Sequence, residues 1–113
     1  MSGGFQVDAV AGQVLALRGE LDLEGAPVLE RAAGEALAGQ GDRLVLDCRE
    51  VTFCDSSGLN MLLRLHGRAG QAGARLVLAD VPEAMRHVLR ITETEGVLTL
   101  AGTVDEALAR PVP

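Results

Sequence analysis

Two short apolar runs, Arg43-Leu44-Val45-Leu46-Asp47-Cys48 and Ala74-Arg75-Leu76-Val77-Leu78-Ala79, bracket a stretch whose apolar residues recur at helical spacing, and that arrangement leaves few folds open. Each run has strand length and lies between turn residues, as a central strand buried on both faces requires. On a helical wheel of residues 57–72, Leu59, Leu62, Leu65, His66, Ala69 and Ala72 share one broad face, opposite Asn60, Arg64, Arg68 and Gln71. Strand, helix and strand in this order predict a right-handed parallel crossover.

The flanking segments extend the pattern. Residues 5–10 and 14–18 read as two antiparallel edge strands around Ala11-Gly12-Gln13. After Gly19-Glu20-Leu21-Asp22, the segment 25–39 places Ala26, Leu29, Ala33, Ala36 and Leu37 at helical spacing with Pro27 in the first turn, and Gly39-Gln40-Gly41 ends it. Gly70 and Gly73 end the helix over 57–72. Val81, Ala84, Met85, Val88 and Leu89 predict a helix over 82–91 behind Pro82, and 97–100 reads as a short strand or edge segment. Thr103 and Glu106 form a capping-box pattern for a last helix that stops near Arg110-Pro111. The expected fold is α/β: a mixed, mostly parallel sheet of four to five strands with an N-terminal β-hairpin and about four helices, packed mainly on one face. A length of 113 residues with 48% hydrophobic content is enough to bury a core without disulfides or metal. No repeat or linker divides the chain, so one domain is expected over 1–113, with its core at about 5–108 and a flexible tail at 109–113.

Composition excludes several classes of function. The formal charge is −6, and all ten basic residues are arginine, which disfavours a nucleic-acid or anionic-membrane surface and suits protein partners. Phe5 and Phe53 are the only aromatic residues, too few for base or sugar stacking. No apolar run approaches the roughly eighteen residues of a membrane span, and no charged-then-apolar leader precedes a small-residue cleavage site, so a cytoplasmic protein is expected. Cys48 and Cys54 lack CxxC spacing and read as reduced core residues, and no metal or cofactor is expected.

The chemistry concentrates in Thr52-Phe53-Cys54-Asp55-Ser56-Ser57-Gly58-Leu59-Asn60, where an acid-Ser-Ser-Gly turn joins an apolar strand to an apolar helix. A hydroxyl at a helix N-terminus is exposed, and a phosphate placed on it is expected to meet free backbone N–H groups and the positive end of the macrodipole. A purely structural account is also open, in which Ser56 or Asp55 is an N-cap worth about 1 kcal/mol and Ser57 a turn residue. Asp22 fits either a cap or a contact. Met61 and Leu63 flank the apolar face and fit either core-edge packing or a partner surface.

These residues resemble the STAS domain, and within it the bacterial anti-sigma-factor antagonists. The resemblance runs from Gly19-Glu20-Leu21-Asp22 through Val45-Leu46-Asp47 and Val51-Thr52-Phe53-Cys54-Asp55-Ser56-Ser57-Gly58-Leu59 to Arg68-Ala69-Gly70 and Gly73-Ala74-Arg75-Leu76-Val77-Leu78. It implies phosphorylation at Ser56, with Ser57 a weaker candidate, by a partner serine kinase that is also the anti-sigma factor. It further implies that Asp22 and Asp55 flank that site at the kinase contact. Ser57, Gly58, Asn60 and Met61 complete the expected partner surface. The unphosphorylated form is then the one that binds the kinase and frees a sigma factor, and a phosphatase resets it; the chain itself is expected to be a monomer or weak dimer. Three positions depart from the family pattern: Asn60, Arg64 and the turn Ile91-Thr92-Glu93-Thr94-Glu95-Gly96.

Two rival readings remain. A serine hydrolase needs a Gly-x-Ser-x-Gly elbow and a positioned base. Asp55-Ser56-Ser57-Gly58 lacks the pattern, His66 falls on the apolar wheel face and His87 on the exposed face of its helix, so an enzyme is not expected. The alternative within the fold is a STAS scaffold or regulatory subunit of a sensory assembly or transporter, because fold does not fix function.

Overall fold

The computed structural model describes residues 4–39 and 41–109. Gln40 of the expected Gly39-Gln40-Gly41 stop, the stop at Arg110-Pro111 and the tail beyond Ala109 lie outside the described residues.

Five strands form one sheet in the order β1 (Phe5–Ala11), β2 (Val14–Leu21), β3 (Arg43–Cys54), β4 (Arg75–Ala79) and β5 (Thr99–Ala101). The β1–β2 pair is an antiparallel hairpin and the other three pairs are parallel. Only β1 of that hairpin is an edge strand. The expectation that both are edges is corrected by β2, which pairs with β3 over Val14–Leu21 and so lies inside the sheet.

Helices α1 (Ala26–Ala38), α2 (Ser56–Gln71) and α3 (Glu83–Ile91) connect the parallel strands, and α4 (Val104–Ala109) follows β5. Sequential strand order with right-handed crossovers puts the connecting helices on one face. Leu15, Leu17, Leu44, Leu46, Leu76 and Leu78 accordingly pack with Leu29 and Ala33 of α1, Leu62 and Leu65 of α2, and Met85 and Leu89 of α3. The alternate strand residues Val14, Val45 and Val77 pack with Ala107 of α4 on the opposite face. Truncating a fully buried leucine such as Leu62 or Leu65 to alanine would cost about 2–5 kcal/mol.

Strand β3 runs six residues past the apolar run that marks it in the sequence. Two register shifts against β2, between Ala16 and Arg18 and between Gly19 and Glu20, each insert one extra residue on β3. Val51 and Cys54 are therefore buried while Arg49, Glu50, Thr52 and Phe53 are exposed, which erases the period-two signal. Gly19 sits at the second shift with φ +101°, and a Cβ there would lie 2.0 Å from the Gly4 carbonyl oxygen.

Helix α2 ends in a Schellman motif: Gly73 takes φ +76°, its N–H donates to Gly70 O, and Ala74 N–H donates to Ala69 O. Helix α3 ends with the same bond pattern, Glu93 N–H to Arg90 O and Thr94 N–H to Leu89 O, but Glu93 occupies the left-handed position at φ 59°. The unusual turn after α3 is thus a glycine-type cap built without glycine. Thr103 Oγ1 accepts from Glu106 N–H at 3.0 Å, which makes one half of the expected capping box at the start of α4.

Candidate functional site

The parallel register pairs Leu21 with Cys54, so Asp22 and Asp55 each follow the last paired residue of neighbouring strands. Each carboxylate then folds back on its own turn. Asp55 Oδ1 accepts from Ser57 N–H at 2.9 Å and Gly58 N–H at 3.1 Å, capping α2. Asp22 Oδ1 accepts from Glu24 N–H at 3.1 Å and Gly25 N–H at 2.9 Å, closing the turn that leads into α1. The cap considered for Asp22 on the first helix is not formed: the N-cap of α1 is Gly25, which has no side-chain cap bond, and Asp22 closes the preceding turn instead.

Gly58 fixes how closely these turns approach. A Cβ on it would lie 2.2 Å from the Leu21 carbonyl oxygen and 2.7 Å from Leu21 Cγ, so only glycine lets the first turn of α2 rest on the end of β2. Asp55 N–H donates to that same Leu21 oxygen at 3.3 Å. Gly58 is buried, which corrects its expected place on the partner surface: its contact is with β2.

Ser56 is the first residue of α2 and is exposed, whereas Ser57 is half-buried. Two of the N–H groups expected to be free for a phosphate, those of Ser57 and Gly58, are already taken by the Asp55 carboxylate. Phosphate on Ser56 would meet a committed carboxylate and only the residual macrodipole. Among the described residues, no arginine is ion-paired with Asp22 or Asp55.

Asn60 is exposed one turn along α2. Met61 is only 2% exposed and packs in the core, where it also lines the groove between α1 and α2. Leu59, Leu62, Leu65 and Ala69 are buried as the wheel predicts; Ala72 is exposed because it caps the helix instead of continuing it. His66 is half-buried and His87 exposed. Burial pushes the Cys54 thiol up from 9.0 to about 11, with the Asp55 charge adding to the effect. Burial raises the Cys48 thiol as well. Neither is poised as a thiolate at neutral pH.

Sequence reasoning missed the groove beside this turn. It has a volume of about 590 Å³ and lies between the start of α1 and the flank of α2, with Ser57, Asn60 and Arg64 on one side and Leu23, Pro27 and Glu30 on the other. Leu23 is 73% exposed. Its signal in the sequence is an isolated leucine between Asp22 and Glu24, where a turn would ordinarily be polar. Phe53, two residues before Asp55, is also exposed, at 50%. Among the described residues, no helix is long and apolar enough to cross a membrane.

Comparisons with known proteins agree with this architecture. A family model described as "Mlab, STAS domain" matches residues 6–100. The Anti-sigma-F factor antagonist RsfB of Mycobacterium tuberculosis is 41% identical over 97 residues, covering 84% of this chain and 77% of that protein. A STAS-domain containing protein of Pseudomonas aeruginosa is 40% identical over 65 residues, which span 58% of this chain and 64% of the length of that relative. A crystal structure of an anti-sigma factor antagonist from Mycobacterium paratuberculosis superposes with a TM-score of 0.78 at 28% identity, over 96% of both chains.

Proposed function

The chain belongs to the STAS domain family, and we propose that within it this protein is an anti-sigma-factor antagonist, a one-domain switch thrown by phosphorylation of Ser56. In its unphosphorylated form it binds an anti-sigma serine kinase and so frees a sigma factor. The observation that carries this reading is exposed Ser56 at the start of α2, directly after Asp55, whose carboxylate is itself bound to the backbone N–H groups of Ser57 and Gly58. The relationship to RsfB supports the same reading.

Phosphorylation moves the γ-phosphoryl group of ATP onto Ser56 Oγ. The hydroxyl proton leaves to a base on the kinase and ADP departs. The product carries about −1.5 to −2 additional charges beside Asp55. Because Asp55 occupies the N–H groups of Ser57 and Gly58, little of that charge is offset locally. A partner surface complementary to a neutral hydroxyl then loses affinity about tenfold for every ~1.4 kcal/mol of repulsion and desolvation. The domain need not refold for the partner to leave. A phosphatase resets the switch by hydrolysing the phosphoserine with water.

The test is binding to a purified anti-sigma kinase, with phosphopeptide mapping after incubation with ATP. Phosphate is expected on Ser56. Ser56→Ala should keep its affinity and lose the modification, while Ser56→Asp should bind at least about tenfold more weakly. Equal affinity of the two variants would overturn the switch. Recovery of the chain only in a large assembly without an ATP-binding kinase would favour the scaffold reading.

A further inference from the structure

We propose that the groove between α1 and α2 receives a segment of the anti-sigma kinase that carries a carboxylate, with Arg64 as its counter-charge. This rests on the function proposed above and names the chemistry its partner must present. The groove is mixed: Leu23, Pro27 and Leu63 supply apolar lining, Ser57 and Asn60 polar lining, and its two charged residues are Glu30 and Arg64. Glu30 is already engaged by Arg68 at 3.7 Å. Arg64 has no carboxylate partner among the described residues, although the chain carries 16 acidic residues against 10 arginines. Six other arginines, at positions 18, 43, 49, 68, 86 and 90, each have one.

Arg64 Nη2 donates to Met61 Sδ at 3.9 Å, so the guanidinium itself lies against Met61 in the groove, with its remaining N–H groups free of any carboxylate among the described residues. A guanidinium in that position offers a planar fork that matches a carboxylate with two parallel N–H···O bonds. Its aliphatic stem adds to the apolar wall. The groove thus carries one uncommitted positive charge on the surface of an acidic protein, which selects an acidic side chain at one point while the rest of the chain repels acidic partners. Ser57 lines the same groove and Ser56 precedes it in the first turn of α2, so the partner segment passes next to the phosphorylation site.

The experiment compares the affinity of wild-type chain, Arg64→Gln, Arg64→Glu and Arg31→Glu for the purified kinase at low salt and near 1 M salt. Arg31 is the control: it also has no carboxylate partner among the described residues, but it lies on α1 outside this groove. Arg64→Glu is expected to weaken binding about tenfold or more at low salt, Arg64→Gln less, and Arg31→Glu by no more than about twofold, with the Arg64 effect shrinking at high salt. Equal losses for Arg64→Glu and Arg31→Glu, or no loss for Arg64→Glu, overturn the assignment. If Ser56→Asp abolishes binding while Arg64→Glu leaves it intact, the switch stands and the groove assignment falls. If the wild-type chain does not bind the kinase, both fall. Arg64 is exposed, and matched thermal melts establish that each variant is folded.

Discussion

The turns that follow β2 and β3 use the same chemistry and reach different ends. In both, an aspartate one residue past the strand closes the backbone with two N–H bonds to a single carboxylate oxygen. After β3 that carboxylate caps α2 directly, and the next residue is an exposed serine. After β2 it caps a three-residue turn, and the next residue is an exposed leucine; α1 then starts from Gly25 without a side-chain cap. One turn presents a group that can accept a phosphoryl transfer, and the other presents an apolar contact. Side by side, they divide modification and adhesion between two neighbouring strand ends.

The strongest way to break this arrangement is to separate the turns. Gly58→Ala places a methyl group 2.2 Å from a backbone oxygen of Leu21, and neither element can yield without moving a helix off the sheet. The gain of about 1 kcal/mol in helix propensity is outweighed, and a net loss of about 2–4 kcal/mol is expected in urea unfolding. Gly25→Ala is the matched test on the other turn. Its Cβ would meet Glu20 O at 2.6 Å and Phe5 Cβ at 2.8 Å, clashes less severe than the 2.2 Å approach at Gly58. The smaller loss belongs to Gly25; the reverse order would show that the β2 turn, not the β3 turn, is the rigid member of the pair.

The next effect distinguishes the strand ends by charge. Leu21 and Cys54 are register partners, but only Cys54 can titrate. Its folded-state thiol is raised from 9.0 to about 11, so below pH 9 both folded and unfolded chains hold the proton and the contribution to stability is complete. Between pH 9 and 11 the unfolded chain ionises first, and about 2–3 kcal/mol of stability is lost as pH rises. Cys48 contributes in the same direction. Urea midpoints measured from pH 8 to 11 should fall, and Cys54→Ala should remove part of that slope. An unchanged slope in Cys54→Ala would assign the alkaline loss elsewhere.

Much of this pair of turns could be read from the sequence, for identifiable reasons. The helix over 57–72 and the strands at 43–48 and 74–79 repeat their apolar residues often enough for periodicity to place them, and Asp-Ser-Ser-Gly marks the cap. The bulges hid the far half of β3, because two inserted residues reverse which side chains face the core. The interior position of β2 was hidden by the hairpin, whose local signal does not show what pairs on its other side. Met61 reads as a flank residue on a lone helix, yet α1 packs beside α2 and widens the buried arc. The groove and the uncommitted charge of Arg64 belong to that helix pair, so neither is visible in either helix alone.

The smallest effect separates the two aspartates themselves. Asp55→Ala removes the cap of a 16-residue helix and leaves two first-turn N–H groups without their acceptor, at a cost of about 1–2 kcal/mol. Asp22→Ala opens a turn whose backbone bond from Ala26 N–H to Asp22 O, at 2.8 Å, survives the substitution, so its cost should be nearer 0.5 kcal/mol. Thermal melts resolve that difference, since 1 kcal/mol moves the midpoint of a domain this size by about 4–8 °C. The two substitutions should also differ in what they do to the switch. Asp55→Ala frees the N–H groups of Ser57 and Gly58 to bind a phosphate on Ser56, so the phosphorylated variant should lose less stability relative to its unphosphorylated form than wild type does. Asp22→Ala frees no group at the start of α2 and should leave that difference as it is in wild type. If both variants behave alike, the capping carboxylate of Asp55 is not what leaves the phosphate uncompensated.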